Sequence, residues 1–156
     1  ASEQMLLSEI IEDLVDSLQA VSQSKGIRMD VQQDTSEQLR NLYPSMTKMV
    51  LSNILRNALN YSQGSDIHII QQKHSLLIAD NGIGINLPND VKVQELNSSQ
   101  LDFEIKGHGI GLQLVEKLCK QLGWRVELFD REYYLSVHPE LNLAVSTGLI
   151  VVVYFY

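Results

Sequence analysis

One cysteine stands in 156 residues, Cys119, which excludes an internal disulfide and a cysteine-built zinc cluster and fits a reducing cytoplasm. Its setting among Leu114, Val115, Leu118 and Leu122 reads as a small core residue rather than a nucleophile. Long apolar runs are missing too. A membrane span needs roughly 18 to 20 such residues, whereas the most apolar run, Leu149 to Tyr156, is strand-sized, so a soluble fragment without membrane contact is expected. Ala1-Ser2-Glu3-Gln4 lacks the basic segment and apolar stretch of a secretory signal. Basic charge is scarce: 12 Lys and Arg against 19 Asp and Glu leave a net charge of −7, which argues against a nucleic-acid surface. A triphosphate bound to so acidic a chain has to be held by metal, backbone N–H groups and a few placed side chains.

What is present suffices for one core, with 44% hydrophobic residues, and one domain over 1–156 is expected. Apolar positions from Leu6 to Val21 recur at three- and four-residue spacing, predicting a helix over about 8–23 with Ser8 as N-cap and Lys25-Gly26 as its end. Ile27, Met29 and Val31 alternate as a strand, and Gln32 to Asn41 is polar connecting chain. A second helix is predicted from Ser45 to Ser62, closed by Gln63-Gly64, and strands at Asp66–Gln71 and Ser75–Ala79 around Lys73-His74. No period survives between Asn86 and Lys106, which predicts a long loop. A third helix opens at Gly107–Gly111 and ends near Leu122-Gly123; strands are predicted from Trp124, at Tyr133–Val137 and at Leu149–Phe155, with His138 to Gly148 unassigned. This order predicts an α+β fold, a two-layer sandwich in which about three helices cover one face of a mixed, mostly antiparallel sheet.

Three segments carry chemistry. On the second helix, Asn53, Asn57 and Asn60 share an arc of about 60°. Amides are costly to bury without partners, and their carbonyl oxygens suit Mg²⁺; a solvated helix edge has the same pattern. Next, Asp80-Asn81-Gly82-Ile83-Gly84-Ile85 follows an apolar strand, its glycines allowing a flat ligand near the backbone and its carboxylate offering an acceptor for an exocyclic amine. An Asn-Gly turn alone reads the same way. Third, Gly107-His108-Gly109-Ile110-Gly111-Leu112 opens a helix whose unpaired N–H groups suit phosphate oxygens. No Gly-Lys-Ser/Thr follows and a loop precedes, so neither a P-loop nor a Rossmann turn is present.

In this order and spacing the segments resemble the N, G1 and G2 boxes of the superfamily of DNA gyrase, heat-shock chaperones, histidine kinases and mismatch-repair ATPases. The run Leu51 to Ser62 is similar to the histidine-kinase version, and the similarity extends from Leu6 onward. The resemblance implies a Bergerat-type fold that binds ATP with Mg²⁺. It implies Asn57 as the metal ligand, Asn53 and Asn60 beside the triphosphate, and Tyr61 flanking the nucleotide. Asp80 would accept from the adenine amino group, Gly82, Ile83, Gly84 and Ile85 would shape the base pocket, and residues 86–106 would form an ATP lid. Lys106, Gly107, His108, Gly109, Ile110, Gly111 and Leu112 would meet the phosphates, His108 near the γ end.

Hydrolytic members of the superfamily, and related serine kinases, carry a glutamate four residues before the metal asparagine; here Asn53 stands there. An amide is no general base, whereas a neutral imidazole already has a nucleophilic lone pair, so the resemblance implies transfer of the γ-phosphoryl group to histidine. Asn60 replaces a lysine common in the family, so phosphate contact from that side is weaker or is supplied by Arg56 or Lys106, and the lid's usual pair of phenylalanines is reduced to Phe103. None of His68, His74, His108 and His138 precedes an acidic residue on a helix. The acceptor is therefore expected on a dimerisation segment of the same parent protein, a cytoplasmic receptor part that serves a response regulator, with this fragment monomeric and inactive alone. A nucleotide-binding regulatory module without transfer activity, or an ATP-driven conformational clamp, are the alternatives.

Overall fold

The computed structural model describes residues 4–33, 42–62, 66–82, 93–94 and 109–155. Helix α1 spans Leu7–Ser24, burying Leu7, Ile10, Ile11, Leu14 and Leu18 on one stripe. Leu6 holds the capping position with no side-chain cap. Ser8 thus lies inside the first turn instead of capping it, because full burial of Leu7 anchors the helix start one residue earlier. Its end is as expected: Gly26 takes φ 67° and the Ile27 N–H reaches the Ser22 carbonyl at 2.9 Å.

Strand β1 is Arg28–Gln32; most of the polar connection after it, 34–41, lies outside the described residues. Helix α2 covers Pro44–Tyr61, with proline in the first turn where its missing N–H costs nothing. Gln63-Gly64, expected to close it, lie outside the described residues. Strands β2, Asp66–Gln71, and β3, Ser75–Ala79, form at the expected positions. Val93–Gln94 is β4 and Gly109–Leu122 is α3, ending at Gly123 with φ 76°. Then come β5, Arg125–Asp130, α4, Arg131–Val137, a 3₁₀ turn at Pro139–Leu141, and β6, Leu149–Tyr154.

The sheet order is β1-β2-β3-β6-β5-β4. The β1–β2 pair is parallel and the other pairs are antiparallel. Successive residues of the central strands feed two cores. Ile67, Ile69, Leu76, Ile78, Val151 and Val153 face α1, α2 and α3, while Ile70, Leu77, Ala79, Ile150 and Val152 face Tyr134 and Leu135 of α4. This double burial explains why β3 and β6 read as unbroken apolar runs rather than alternating ones. The expected helix layer on one face is present, and α4 adds a smaller one on the other.

Two expectations are corrected. Tyr133–Val137 belongs to helix α4, not to a strand. Its aromatic and β-branched residues favour strands only weakly, and two stronger effects prevail: the Asp130 carboxylate accepts from the Tyr133 N–H at 3.0 Å, and Arg131, Tyr134 and Leu135 are buried together at helical spacing. Within the segment expected to be loop, 86–106, Val93–Gln94 pairs with Leu128 and Phe129; a strand of two residues is too short to leave an alternation.

Candidate functional site

The site is built where α2 and β3 end. After Ala79 the chain leaves the sheet, and Gly82 forms an antiparallel bridge to Ser62, just beyond α2. The Ser62 hydroxyl donates to Asn81 Oδ1 at 2.7 Å, and the Thr147 hydroxyl donates to the Gly82 carbonyl at 3.0 Å. The first two chemical segments of the sequence are thus joined directly.

Asp80 lies at the centre, only 3% exposed. Its Oδ1 accepts from the Gly82 N–H at 2.9 Å and the Leu149 N–H at 3.0 Å. Among the described residues Oδ2 has no such donor, so the carboxylate is fixed by one oxygen and can accept through the other. Burial pushes its pKa up, while the two N–H donors and the Arg131 cation pull it down. Gly148 lies flat against this turn: a Cβ there would strike the Asp80 carbonyl oxygen and sit 2.9 Å from its carbon and 3.0 Å from Asn81 Cα. No larger residue fits.

Helix α2 presents the asparagines unequally. Asn57 is buried at 8% exposure, and its amide makes no hydrogen bond among the described residues. Asn53 Nδ2 donates to the Met49 carbonyl at 2.6 Å, which leaves its Oδ1 to accept. Asn60 is exposed and, with Arg56, lines a groove toward Leu18 and Val21 of α1. Tyr61 is the last residue of α2. Helix α3 packs beside α2, and Gly109, Ile110, Gly111 and Leu112 form its first turn. Ile83, Gly84, Ile85, Lys106, Gly107 and His108 lie outside the described residues, as does nearly all of the expected lid.

Cys119 is buried in the core, its thiol pushed up to about 12 by burial and by Glu116, which makes it a poor nucleophile. His68 lies on β2, Nδ1 3.1 Å from Asp30, and His138 stacks on Tyr134 at 4.2 Å. Among the described residues no group of three or more His, Cys, Asp and Glu side chains could hold a metal, and no helix is long and apolar enough to cross a membrane.

Sequence reading missed the third wall of this site: Arg131, Thr147, Gly148 and the Leu149 N–H. The one available signal was Ser146-Thr147-Gly148 immediately before an apolar strand.

Comparison with known proteins bears on the family and the fold. Residues 44–154 match the family described as "Histidine kinase-, DNA gyrase B-, and HSP90-like ATPase". The sensor histidine kinase GraS of Staphylococcus haemolyticus (strain JCSC1435) is 32% identical over 134 residues, covering 81% of this chain. The chain spans 38% of that protein's length. Among solved structures, the cytoplasmic segment of histidine kinase QseC matches with TM-score 0.67 at 18% identity, covering 99% of this chain and 78% of that one. Full-length ShkA in complex with AMPPNP matches with TM-score 0.69 at 14% identity, covering 98% and 30%. At such identities these two establish the fold, while the family match covers most of the chain. The chain belongs to the histidine kinase-, DNA gyrase B- and HSP90-like ATPase family.

Proposed function

We propose that this domain binds Mg·ATP with the adenine against Asp80 and passes the γ-phosphoryl group to a histidine on a separate dimerisation domain of its parent sensor kinase. The observation that carries the base assignment is the half-satisfied Asp80 carboxylate: Oδ1 holds two backbone N–H groups, and Oδ2 is left to accept from an exocyclic amine. The nucleotide of ShkA's AMPPNP complex supports a nucleotide ligand for the shared fold.

Asn57, buried without a partner among the described residues, fits a Mg²⁺ ligand, since an amide oxygen is a hard donor. When bound, the ion would neutralise charge on the phosphates. Asn53 offers an oxygen but cannot remove a proton, so the acceptor must be a nucleophile that needs no base; an imidazole meets that condition. The first turn of α3, opened by Gly109, offers backbone N–H donors to phosphate oxygens. Residues 86–106 are the proposed lid, with Lys106, Gly107 and His108 beside the phosphates and Ile83, Gly84 and Ile85 beside the base. Asn60 and Arg56, turned toward α1, are the weakest phosphate contacts of this set. That position favours the second reading, a regulatory nucleotide-binding module without transfer activity. The parent is proposed to act at the cytoplasmic face and to serve a response regulator.

The test combines binding with transfer. An ATP analogue should bind more weakly without Mg²⁺ in the wild-type chain, Asn57→Ala should abolish that difference, and Asp80→Ala should lower affinity at least about tenfold, the value of a lost hydrogen bond to a charged group. Acid-labile phosphohistidine on an added dimerisation domain would sink the regulatory reading. Unchanged affinity in Asp80→Ala would sink the adenine assignment.

A further inference from the structure

Arg131 is 3% exposed and lies on the α4 side of the sheet, opposite the nucleotide-side helices. Its Nη1 donates to the Asp80 carbonyl at 3.0 Å and its Nη2 to the Ala144 carbonyl at 2.9 Å. Its own backbone N–H donates to the Gly148 carbonyl at 3.0 Å, and its Nε is buried without a partner among the described residues. An arginine so deeply buried is costly unless its charge is compensated. Here the near acceptors are two neutral carbonyls, and the anions that favour the cation are Asp80 and Asp66. The fork therefore commits its hydrogen bonds to two backbone carbonyls, one of them in the Asp80 turn.

We propose that Arg131 is a positioning residue of the adenine site, its guanidinium tying the Asp80 carbonyl to the Ala144 carbonyl and so fixing the turn from which the carboxylate meets the base. The inference rests on the reading of Asp80 as the base acceptor. Four links converge on that turn from the β5–β6 connection and the start of β6: the guanidinium on the Asp80 carbonyl, the Leu149 N–H on Oδ1, the Asp80 N–H on the Leu149 carbonyl, and the Thr147 hydroxyl on Gly82. Arg131 is the one that also brings charge. Burial favours the protonated carboxyl, which would present a hydroxyl to the base; the cation and the N–H donors oppose this. Arg131 is the charged group acting on Asp80, and Asp66 of β2 acts in turn on Arg131.

The test uses the whole chain with Arg131→Gln, which keeps a donor and loses the charge, and Arg131→Lys, which keeps the charge and loses the fork. A nonhydrolysable ATP analogue and its inosine counterpart, which lacks the amino group, are titrated calorimetrically from pH 5.5 to 8. Comparison with wild type at each pH cancels the nucleotide's own titration. Wild type should prefer the adenine analogue. Arg131→Gln should bind it about tenfold more weakly, lose most of that preference, and lose affinity on acidification at a higher pH than wild type. Arg131→Lys should keep the wild-type pH midpoint with adenine affinity lowered by about threefold.

Wild-type affinity, preference and pH profile in both variants, with only the unfolding temperature lowered, would overturn the assignment as merely structural. Should Arg131→Gln fail to fold, Arg131→Lys decides: undiminished adenine affinity overturns the proposal, and weakened affinity with an unmoved midpoint supports it. An adenine preference that survives Asp80→Ala refutes the Asp80 reading itself, whatever Arg131 does.

Discussion

Replacing Gly148 with alanine adds one methyl group at the point where two strands' ends and the Asp80 turn meet. The added Cβ meets backbone on three sides, the Asp80 carbonyl oxygen and carbon and Asn81 Cα, and the residue has φ 152°. None of these neighbours can yield cheaply. Asp80 is held to Leu149 by N–H to carbonyl at 3.0 Å and by Oδ1 from the Leu149 N–H at 3.0 Å, while the Gly148 carbonyl is held by the Arg131 N–H at 3.0 Å. Forcing a methyl into a filled site costs roughly 1–3 kcal/mol, and a backbone region reserved for glycine adds roughly 1–3 kcal/mol. The expected loss is thus about 4 kcal/mol, a large part of a domain's usual total of roughly 5–15 kcal/mol. It should lower the unfolding midpoint by about 8–16 °C. Gly26→Ala provides the internal control. Its φ is also positive, at 67°, but nothing lies within 4 Å of the added atom, so its cost is about 1 kcal/mol. Thermal unfolding followed by circular dichroism, repeated with saturating ATP analogue, measures both. Equal midpoints for the two variants, or wild-type nucleotide affinity in Gly148→Ala, would refute the view that this contact shapes the base pocket.

Asp80→Asn separates affinity from stability. Because the folded carboxyl has a raised pKa, its contribution to stability is present below the unfolded carboxylate value of about 3.9 and is lost as pH rises through the folded value. At pH 7 the amide should therefore match or exceed wild type in unfolding temperature while nucleotide affinity falls about tenfold; a lower unfolding temperature at pH 7 would contradict the assigned burial effect. Asp130→Ala removes the cap of α4, at a cost of about 1 kcal/mol. Since α4 starts with Arg131, the nucleotide affinity of this variant should also weaken. An affinity identical to wild type, at a lowered unfolding temperature, would show that the helix start can loosen without moving the turn.

The legible parts of the fold are those where one local rule has no rival. Helices α1 and α3 announce themselves because apolar spacing and a terminal glycine agree, and Gly26 and Gly123 do adopt positive φ. The β2 and β3 bounds follow from a short turn between two apolar runs. By contrast, Tyr133-Tyr134-Leu135-Ser136-Val137 is written in strand residues. It is helical because the Asp130 carboxylate, three residues before it, caps the first turn and because the sheet's second face must be covered. That second requirement is tertiary: no local pattern reveals that β3 and β6 are buried on both sides until their neighbours are known.

The candidate site divides in the same way. Asp80 could be singled out from sequence because a carboxylate directly after an apolar strand and before alternate glycines is chemically odd. Arg131 could not, and Thr147 and Gly148 only faintly through Ser146-Thr147-Gly148 before an apolar strand, since they lie 65 or more residues from Gly82 or 51 from Asp80 along the chain and act on backbone groups of the turn. Their roles are to exclude a Cβ, to satisfy a carbonyl and to hold a turn, and none of these leaves a compositional mark. The same distinction orders the asparagines. All three share one helical arc in sequence, yet α1 and α3 flank α2 differently, so Asn57 is buried while Asn60 opens on the α1 groove. Helix periodicity defines which residues share an edge; the neighbouring helices decide which of them meets the ligand.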